Sequence, residues 1–464
     1  MGGGKPASEP PHQGERQSTK VYHRADVVHG AADKTPTIVE AVQFQGVATT
    51  KTDALIKEVS ELYRAQNLGQ LISMANEAAR HMQTVGLFEN VTPLIDTEKK
   101  VENGYVVNFM VKEPRNFVVG VKAGMSTAGD ADVSVTGSRQ SAFGRGERLD
   151  AGYTYSVKGD HSFHAHASRP LLGWRRHQSQ GASIWRSVAH QPWNGADFHE
   201  NAASILLSGE TFDRKVQHST RLATSWRTLR ASDASAFAVR EHAGHTLKTS
   251  IENTIAFDNR DRPVLPTKFA TPCYLACILA LRGVLTKLAQ EFAGIVGDVA
   301  FVKHQLDLQA STELGWRTIL QAGIRAGSVH SFADKELHLL DRLYLGGSQD
   351  LRGWSQNTIG ARAEQSCVGG GASLAGALHI YRPIYPLDVV YLHAFAVSGA
   401  VAGVRSRARW RDLIDGQRTS VGLGLAFVFR NTFMLEVNYV QPIRTAAGDF
   451  ARPGIHIGAG MHFL

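Results

Sequence analysis

Few residues of this 464-residue chain stand at spacings that support catalysis or metal binding. Cys273 and Cys277 lie close together, but no histidine or second cysteine pair accompanies them at ligand spacing. His164 and His166 alternate with apolar residues, and His161 lies nearby, so the polar face of one strand explains them better than a metal site does. The sequence contains no phosphate-binding loop, nucleophile elbow or zinc motif. It therefore predicts no enzyme activity, no cofactor and no bound metal.

The residues around Arg352 indicate a different kind of chemistry, in which the sequence DRLYLGG is closely followed by LRGW. Burying a guanidinium is costly unless it is paired, and its planar fork can bind a carboxylate and backbone carbonyls together. We expect Glu436 to be the partner, Gly353 to form a tight turn and Trp354 to pack against surrounding protein. An arginine in an ordinary surface loop is the alternative, and the preceding apolar run argues against it. The candidate site residues are Gly346, Gly347, Leu351, Arg352, Gly353 and Trp354.

The elements that must position these residues are β-strands. From residue 114 onwards, apolar and polar residues alternate in segments of about ten residues, as at Val421, Leu423 and Leu425. About sixteen such segments predict a transmembrane β-barrel of antiparallel strands, and Glu436 falls on the inward face of its strand. A soluble β-sandwich also alternates, but recurring inward glycines and one long loop at 329–374 favour the barrel.

The segments before the barrel have a different composition. Residues 1–35 are rich in Gly, Pro, Ser and charge, so we expect a disordered tail. They lack the apolar segment of a secretory signal and contain acidic residues, which favours an organelle reached from the cytosol. Residues 36–113 predict a small α+β domain with the order strand, helix, helix, strand, strand.

Composition narrows the classes of partner. The 50 Lys and Arg residues exceed the 42 Asp and Glu residues only slightly, and they form no dense run, so nucleic-acid binding is not expected. No stretch of about 20 apolar residues is present, which argues against a transmembrane helix. The bilayer would instead be crossed by the predicted strands.

Together these motifs resemble the outer-membrane barrel-assembly and two-partner-secretion superfamily, also called the bacterial surface antigen superfamily. In that family, a loop that folds back into the barrel carries a hydrophobic-Arg-Gly-aromatic tetrad. The family more often has Val or Ile first and Phe or Tyr last, so Leu351 and Trp354 depart within the same chemical class. Residues 36–113 resemble a single polypeptide-transport-associated (POTRA) domain, with Gly86, Leu87, Phe88 and Val91 at its helix-to-strand turn.

A single POTRA domain is typical of the mitochondrial branch of the superfamily, the channel subunits of the sorting and assembly machinery. The C-terminal segment is similar to the sorting signal of mitochondrial barrels, which reads polar, any, Gly, two of any, hydrophobic, any, hydrophobic. Its fixed positions are His456, Gly458, Met461 and Phe463. The resemblance extends from about residue 36 to the end of the sequence.

One segment departs from the family. Residues 269–282, FATPCYLACILALR, stand where relatives pass directly from a hairpin end into a glycine-led strand. The segment is apolar but too short to cross a membrane as a helix. We hypothesise that it is foreign to the fold, such as a retained intron.

The resemblance implies insertion and assembly of β-barrel precursors into the mitochondrial outer membrane through a lateral gate between the first and last strands. The implied partners are barrel precursors, metaxin-type peripheral subunits, the inner-membrane contact-site complex and the lipid bilayer. The N-terminal domain would lie in the intermembrane space. The implied gate residues are Phe117, Val119 and Val121 in the first strand and His456, Gly458, Gly460, Met461 and Phe463 in the last.

Two alternatives stay open at this point. One is a passive channel for solutes, and the other is a polypeptide-conducting channel without insertase activity, as in plastid import. A passive pore requires neither a POTRA-like domain nor the tetrad, and the plastid reading fits poorly with a single such domain.

Overall fold

The structure is a computed structural model, and it describes most of the chain. The described residues are 32–98, 101–125, 131–173, 177–211, 215–262, 264–265, 283–385, 389–406, 409–429, 433–446 and 448–460. Within these ranges, no helix is both long enough and apolar enough to cross a membrane.

The first compact unit contains a three-stranded sheet and two helices. Its strand order is β1-β3-β2, with β1 parallel and β2 antiparallel to β3. In chain order its elements are β1 (Ile38–Gln45), a helix (Thr52–Val59), a 3-10 helix (Ser60–Arg64), a second helix (Leu68–Thr84), β2 (Asn90–Thr97) and β3 (Gly104–Lys112). Residues 139–148 and 169–176 belong to the same compact unit.

The second helix shows why this sequence folds as it does. Asn67 precedes it, and its side-chain oxygen accepts the backbone N–H of Gln70 at 2.7 Å, which satisfies one of the unpaired donors of the first turn. Its buried residues recur at helical spacing and pack on the sheet, so one apolar face explains its position. These residues are Leu71, Ala75, Ala78, Ala79 and Met82, and they share a core with Val91, Val107 and Phe109.

A buried hydrogen bond joins the two helices of this unit. His81 Nδ1 lies 2.5 Å from Glu58 Oε2, and Glu58 Oε1 accepts the backbone N–H of Gly173 at 2.8 Å. Both oxygens of the buried Glu58 carboxyl group therefore have hydrogen-bond partners, as a polar group removed from water requires.

The second unit contains a single antiparallel sheet with sixteen strands among the described residues. Its order follows the chain, except that β14 (Thr318–Ser331) pairs directly with β17 (Ala372–Ile384), because β15 (Ala361–Ala363) and β16 (Ser366–Gly369) lie in the long loop between them. The strands are β4 (Phe117–Met125), β5 (Ala131–Gln140), β6 (Arg148–Ser156), β7 (His161–Pro170), β8 (Gln178–Gln191), β9 (Ala196–Thr211), β10 (Val216–Ala231), β11 (Gly244–Asp258), β12 (Val284–Gly297), β13 (Phe301–Leu314), β14 (Thr318–Ser331), β17 (Ala372–Ile384), β18 (Val390–Ala402), β19 (Arg418–Phe429), β20 (Phe433–Arg444) and β21 (Gly454–Gly460). Between β10 and β11 lies a short helix (Phe237–Arg240), and between β18 and β19 another (Arg409–Asp415).

Alternation along each strand gives the sheet two different faces. In β14, Ile324 is 48% exposed, whereas the next residue, Arg325, points to the opposite face and contacts Asp307 of β13 at 2.8 Å. Period-two alternation of apolar and charged residues is what a strand needs when one face meets lipid and the other meets a polar interior. The prediction of about sixteen antiparallel strands after a small α+β domain is confirmed.

β4 and β21 are the two ends of the sheet order. No ladder joins them within the stretches that the structure describes, so the sheet is not closed there. The predicted first and last barrel strands are therefore edge strands, each with a pairing partner on one side.

The structure places two predicted boundaries differently, and two predicted segments lie largely or wholly outside the described residues. The long loop covers 332–371 rather than 329–374, because the ladder continues through the bond from Val329 N to Gly371 O at 2.8 Å. Order begins before residue 36, since Ala32 is buried and the carbonyl of Thr35 accepts the N–H of Leu68 at 3.1 Å. The rest of the predicted tail, residues 1–31, and all of the suspected insertion at 269–282 lie outside the described residues.

Glu113 closes the small domain after β3. Its carboxylate accepts the backbone N–H groups of Ala48, Thr49 and Thr50 at 2.9–3.1 Å and the hydroxyls of both threonines at 2.6 and 2.8 Å. Burial raises the pKa of Glu113, but the hydrogen bonds from Thr49, Thr50 and Ala48 outweigh it and lower the pKa to about 2.

We expect Glu113→Gln to loosen the 48–50 turn. Hydrogen bonds to a charged acceptor contribute roughly 1.5–3 kcal/mol, so the three amides should exchange at least about tenfold faster in the full-length variant at neutral pH. Because the folded pKa is depressed, the stabilisation is complete above the ordinary pKa of about 4.3 and is lost as pH falls towards 2. Hydrogen exchange with mass spectrometry, corrected for intrinsic rates, should show the two proteins converging over that window.

Glu102→Gln is the matched control, because Glu102 is an exposed turn residue of the same domain. Equal protection of residues 48–50 in wild type and Glu113→Gln at neutral pH would contradict the proposed anchoring.

Candidate functional site

The long loop, residues 332–371, lies against the inward face of the sheet. It contains a 3-10 turn (Leu339–Asp341) and a two-stranded ladder of β15 (Ala361–Ala363) and β16 (Ser366–Gly369). Most of its large apolar side chains are almost fully buried, among them Leu343, Leu345, Leu351, Trp354 and Ile359. The loop is therefore a packed structural element rather than a solvated connection.

Arg352 is 1% exposed, and Glu436 of β20 lies against it. Arg352 Nη2 lies 2.8 Å from Glu436 Oε2, and the guanidinium stands 4.9 Å from the centre of the Phe395 ring. Tyr381 donates its hydroxyl to Glu436 Oε1 at 3.0 Å, and Asn438 donates Nδ2 to Oε2 at 3.0 Å. Three donors thus converge on one buried carboxylate, which is the condition under which such a charge is tolerated.

Hydrogen bonds also fix the backbone of the tetrad. Ser420 Oγ donates to the carbonyl oxygen of Arg352 at 2.5 Å, and the carbonyl of Gly353 accepts the N–H of Arg452 at 2.7 Å. Gly353 has φ +97°, and a Cβ there would stand 3.2 Å from the Pro442 side chain. Only glycine adopts that conformation in that space without strain. Trp354 is buried and forms a backbone bridge with the residue preceding Arg452.

Gly346 and Gly347 reverse the chain ahead of the tetrad. Both have positive φ, at +117° and +116°, and a Cβ on Gly346 would stand 2.7 Å from the carbonyl oxygen of Ser355. The Leu-Gly-Gly end of the first motif therefore folds onto the residue that follows Trp354. The two motifs noted in the sequence form one compact turn structure.

A polar network extends from Glu436 into β17 and β18, and sequence reasoning missed it. Asn438 Oδ1 lies 2.9 Å from His393 Nδ1, and His393 Nε2 lies 2.9 Å from His379 Nδ1. Both histidines are fully buried, and their rings stack with Tyr381 at centroid distances of 4.5 and 5.9 Å. The available signal was histidine and tyrosine at inward positions of two consecutive strands.

Two further loop carboxylates, Asp341 and Asp350, form ion pairs with the sheet, and neither contact was predicted. Arg227 of β10 makes a bidentate pair with Asp341 at 2.7 and 2.9 Å, and Lys248 of β11 lies 3.2 Å from the same carboxylate. Arg325 of β14 contacts Asp350. Together with Arg352–Glu436, these pairs attach the loop at three separated places on the inward face.

The predicted gate residues lie on the two edge strands. Phe117, Val119 and Val121 are exposed on one face of β4. In β21, His456, Gly458 and Gly460 are opposite Asn438, Glu436 and Met434 of β20. Met461 and Phe463 lie outside the described residues.

A cavity of about 890 Å³ separates part of the tetrad from the last strand. Trp354 and Gln356 line one side of it, and Ile455, His456 and Ile457 of β21 line another. Across the ranges that the structure covers, no group of three or more His, Cys, Asp or Glu residues is arranged to hold a metal ion.

Vertebrate proteins share about 30% sequence identity with most of this chain. A Xenopus tropicalis protein named sorting and assembly machinery component 50 homolog is 30% identical over 450 residues, covering 92% of this chain and 91% of that protein. The Homo sapiens protein of the same name is 29% identical, and the match covers 92% of this chain and 90% of the human protein.

Solved structures share the fold at lower identity. BamA from Haemophilus ducreyi lacking POTRA domains 1–3 superposes with a TM-score of 0.73 at 16% identity, covering 91% of this chain and 84% of that chain. CdiB from Acinetobacter baumannii gives a TM-score of 0.54 at 12% identity, covering 91% and 73%. The Omp85 superfamily domain model matches residues 142–463, which is more than half of the sequence. The loop, the sixteen-stranded sheet and these matches agree: the chain belongs to the Omp85 superfamily.

Proposed function

We propose that this protein inserts and assembles β-barrel precursors in the mitochondrial outer membrane through a lateral gate between β4 and β21. The observation that carries the proposal is the arrangement of the two edge strands. Neither is paired with the other in the described residues, while the neighbour of one of them, β20, is fixed by the buried Arg352–Glu436 pair. The names of the frog and human relatives, which are components of a sorting and assembly machinery, support the same function.

The physical basis is the cost of an open sheet edge in lipid. Backbone N–H and C=O groups have no water partner in the hydrocarbon region, so an exposed edge there is strongly unfavourable. A client strand would satisfy the edge of β4 by β-augmentation, in which backbone hydrogen bonds give affinity and side chains set the register. The exposed apolar residues of β4 would continue the lipid-facing surface of the client.

The composition of β21 favours its detachment from β20. Gly458 and Gly460 contribute no side chain to packing and cost backbone entropy when they are ordered in a strand. Glu436 stands opposite Gly458 in the ladder, so the loop anchors the strand that β21 would leave behind. Releasing β21 would open the seam while the Arg352–Glu436 pair on β20 stays in place.

No covalent chemistry is required for this activity. Insertion is favourable once the client's backbone groups are paired and its apolar face meets lipid. The protein would lower the barrier by supplying a template edge, and neither a nucleotide nor a metal takes part.

The proposal also assigns positions to the small domain and to the partner proteins. The domain at residues 36–113 would lie in the intermembrane space and receive incoming precursors. Metaxin-type subunits would cover the opposite face, and the inner-membrane contact-site complex would bind on the intermembrane-space side. A channel without insertase activity is the second candidate, and the cavity of about 890 Å³ beside β21 is the observation that favours it.

Disulfide scanning in isolated mitochondria tests the gate. Single cysteines at Val119, Val121 or Ile457, in a chain whose native cysteines are replaced, would be combined with an arrested porin precursor carrying one cysteine in its last strand. We expect crosslinks to β4 at one register, because a ladder fixes which residues stand opposite each other.

Leu222→Cys is the matched control, since Leu222 is exposed but its strand, β10, is paired on both sides. Crosslinks of equal strength at Leu222, or normal porin assembly after depletion of the protein, would instead support the channel.

The loop anchor can be tested by substitution of the buried pair. Arg352→Met leaves Glu436 buried without its cation, which costs about 3–5 kcal/mol for such pairs. We expect lower thermal stability in detergent and slower porin assembly. Arg352→Met combined with Glu436→Gln should recover stability, because no buried charge is left unpaired, but not assembly, because the loop is no longer held.

The control is the exposed pair of Arg405 and Glu336, 2.9 Å apart. The double variant Arg405→Met, Glu336→Gln should change stability by no more than about 1 kcal/mol, as exposed ion pairs do. Wild-type assembly rates in Arg352→Met would show that the anchor has no part in the function.

A further inference from the structure

A cleft of about 390 Å³ lies on the outer face of the sheet, at the end where the long loop leaves β14. The short helix Arg409–Asp415, from the β18–β19 connection, closes one side of it. The cleft is separate from the loop site, which lies on the opposite face. Its lining is apolar towards the middle of the strands and basic towards their ends.

The apolar part is a row of side chains from four neighbouring strands. Leu288 of β12 is opposite Leu306 of β13, which is opposite Ala326 of β14, which is opposite Leu374 of β17. Ala326 shares its face with the exposed Ile324 two residues earlier, because residues i and i+2 of a strand point the same way. The row therefore belongs to the outer, lipid-facing surface.

The basic part begins one pleat further along the same face. His304 and Ser328 are opposite each other there, and His330 follows at the end of β14. Arg409 Nη1 stands 3.2 Å from His330 Nδ1 and 3.3 Å from the carbonyl of Val329, and Nη2 stands 3.2 Å from the carbonyl of Val404. The guanidinium is thus fixed across the ends of β14 and β18.

Among the described residues, Arg409 has only neutral hydrogen-bond partners. In the part of the chain that the structure describes, no Asp or Glu side chain forms an ion pair with it, in contrast to Arg227, Arg325 and Arg352 on the inward face. A held cation flanked by two histidines, at the boundary between an apolar row and the strand ends, is therefore available to an anion from outside the protein. Backbone carbonyls fix its position but leave the positive charge in place.

The helix beside the cleft has the character of a membrane-interface element. Leu413 packs towards the sheet with Ala372, Ala400 and Ala402. Trp410 and Ile414, four residues apart and on one helical face, are 74% and 65% exposed. Tryptophan prefers the boundary between hydrocarbon and head groups, and charged residues on a lipid-facing surface are tolerated near that boundary.

We propose that this cleft binds an anionic phospholipid. The phosphate would lie between Arg409, His304 and His330, where a guanidinium can donate to two phosphate oxygens at once. One acyl chain would follow the row that begins at Leu374 and continues through Ala326. A free phosphate ion would leave that apolar row uncovered, which is why the geometry selects a lipid. The inference requires only that the outer face of the sheet lies in a membrane, and it is independent of insertase activity.

Trp410 provides the readout, because it lines the cleft. The full-length protein would be placed in phosphatidylcholine nanodiscs containing a minor fraction of either phosphatidylglycerol or phosphatidylcholine with brominated acyl chains, which quench nearby tryptophan. The contribution of Trp410 is the difference between wild type and Trp410→Phe. We expect stronger quenching by the anionic lipid, corresponding to about fivefold enrichment for one cation near an anionic lipid.

Arg409→Gln should remove this preference. Arg411→Gln is the matched control, because Arg411 is exposed on the same helix and does not line the cleft. Arg409→Lys keeps the positive charge but not the two-pronged guanidinium, so it should retain part of the preference. A preference retained in Arg409→Lys would show that its loss in Arg409→Gln is not caused by misfolding. Equal quenching by the two lipids, an unchanged preference in Arg409→Gln, or displacement of the anionic lipid by inorganic phosphate would overturn the proposal.

Discussion

Arg352, Asp341 and Asp350 of the long loop each meet an opposite charge on the inward face of the sheet, and the position of the loop follows from these three contacts. Arg352 meets Glu436, Asp341 meets Arg227 and Lys248, and the third contact is that of Asp350 with a β14 arginine. Desolvating any one of these groups without its partner would cost several kcal/mol. Three separate pairs on β10–β11, β14 and β20 therefore allow one placement of the loop and exclude a shift along the strands.

The edges of the sheet contrast with this fixed interior. The loop contacts β20, which lies beside β21, and it contacts other strands that lie far from β4. In the described part of the seam, no ladder joins β4 and β21, and β21 has few large side chains. The charge-paired strands and the edge strands are thus different strands of one sheet. A protein that must keep its own structure while another chain pairs with its edge needs this separation.

Sequence periodicity was enough to predict the sheet and one of the three loop anchors. Alternation fixes the face on which a residue lies, which is why Glu436 could be named as a partner for Arg352. It does not fix the height of a residue along the barrel axis, because that depends on the stagger between strands. The pairing of Asp341 with Arg227, 114 residues away, depends on stagger and on the path of the loop, so no local pattern could indicate it. The short helix at Arg409–Asp415 was missed for another reason, since seven residues carry too little periodicity to distinguish a helix from a connection.

The hydrogen bonds in the network next to Glu436 all run in one direction from donor to acceptor, which the distances alone do not reveal. An ionised carboxylate only accepts hydrogen bonds, so the Asn438 amide must present its NH₂ to Glu436 and its oxygen to His393. His393, when neutral, must then carry its proton on Nδ1, and its Nε2 must accept a proton held by His379 Nδ1. The tautomers of two histidines on β17 and β18 are therefore set by one negative charge on β20. Neutralising that carboxylate would remove the only fixed acceptor in the series, and the amide and both imidazoles could then reverse together.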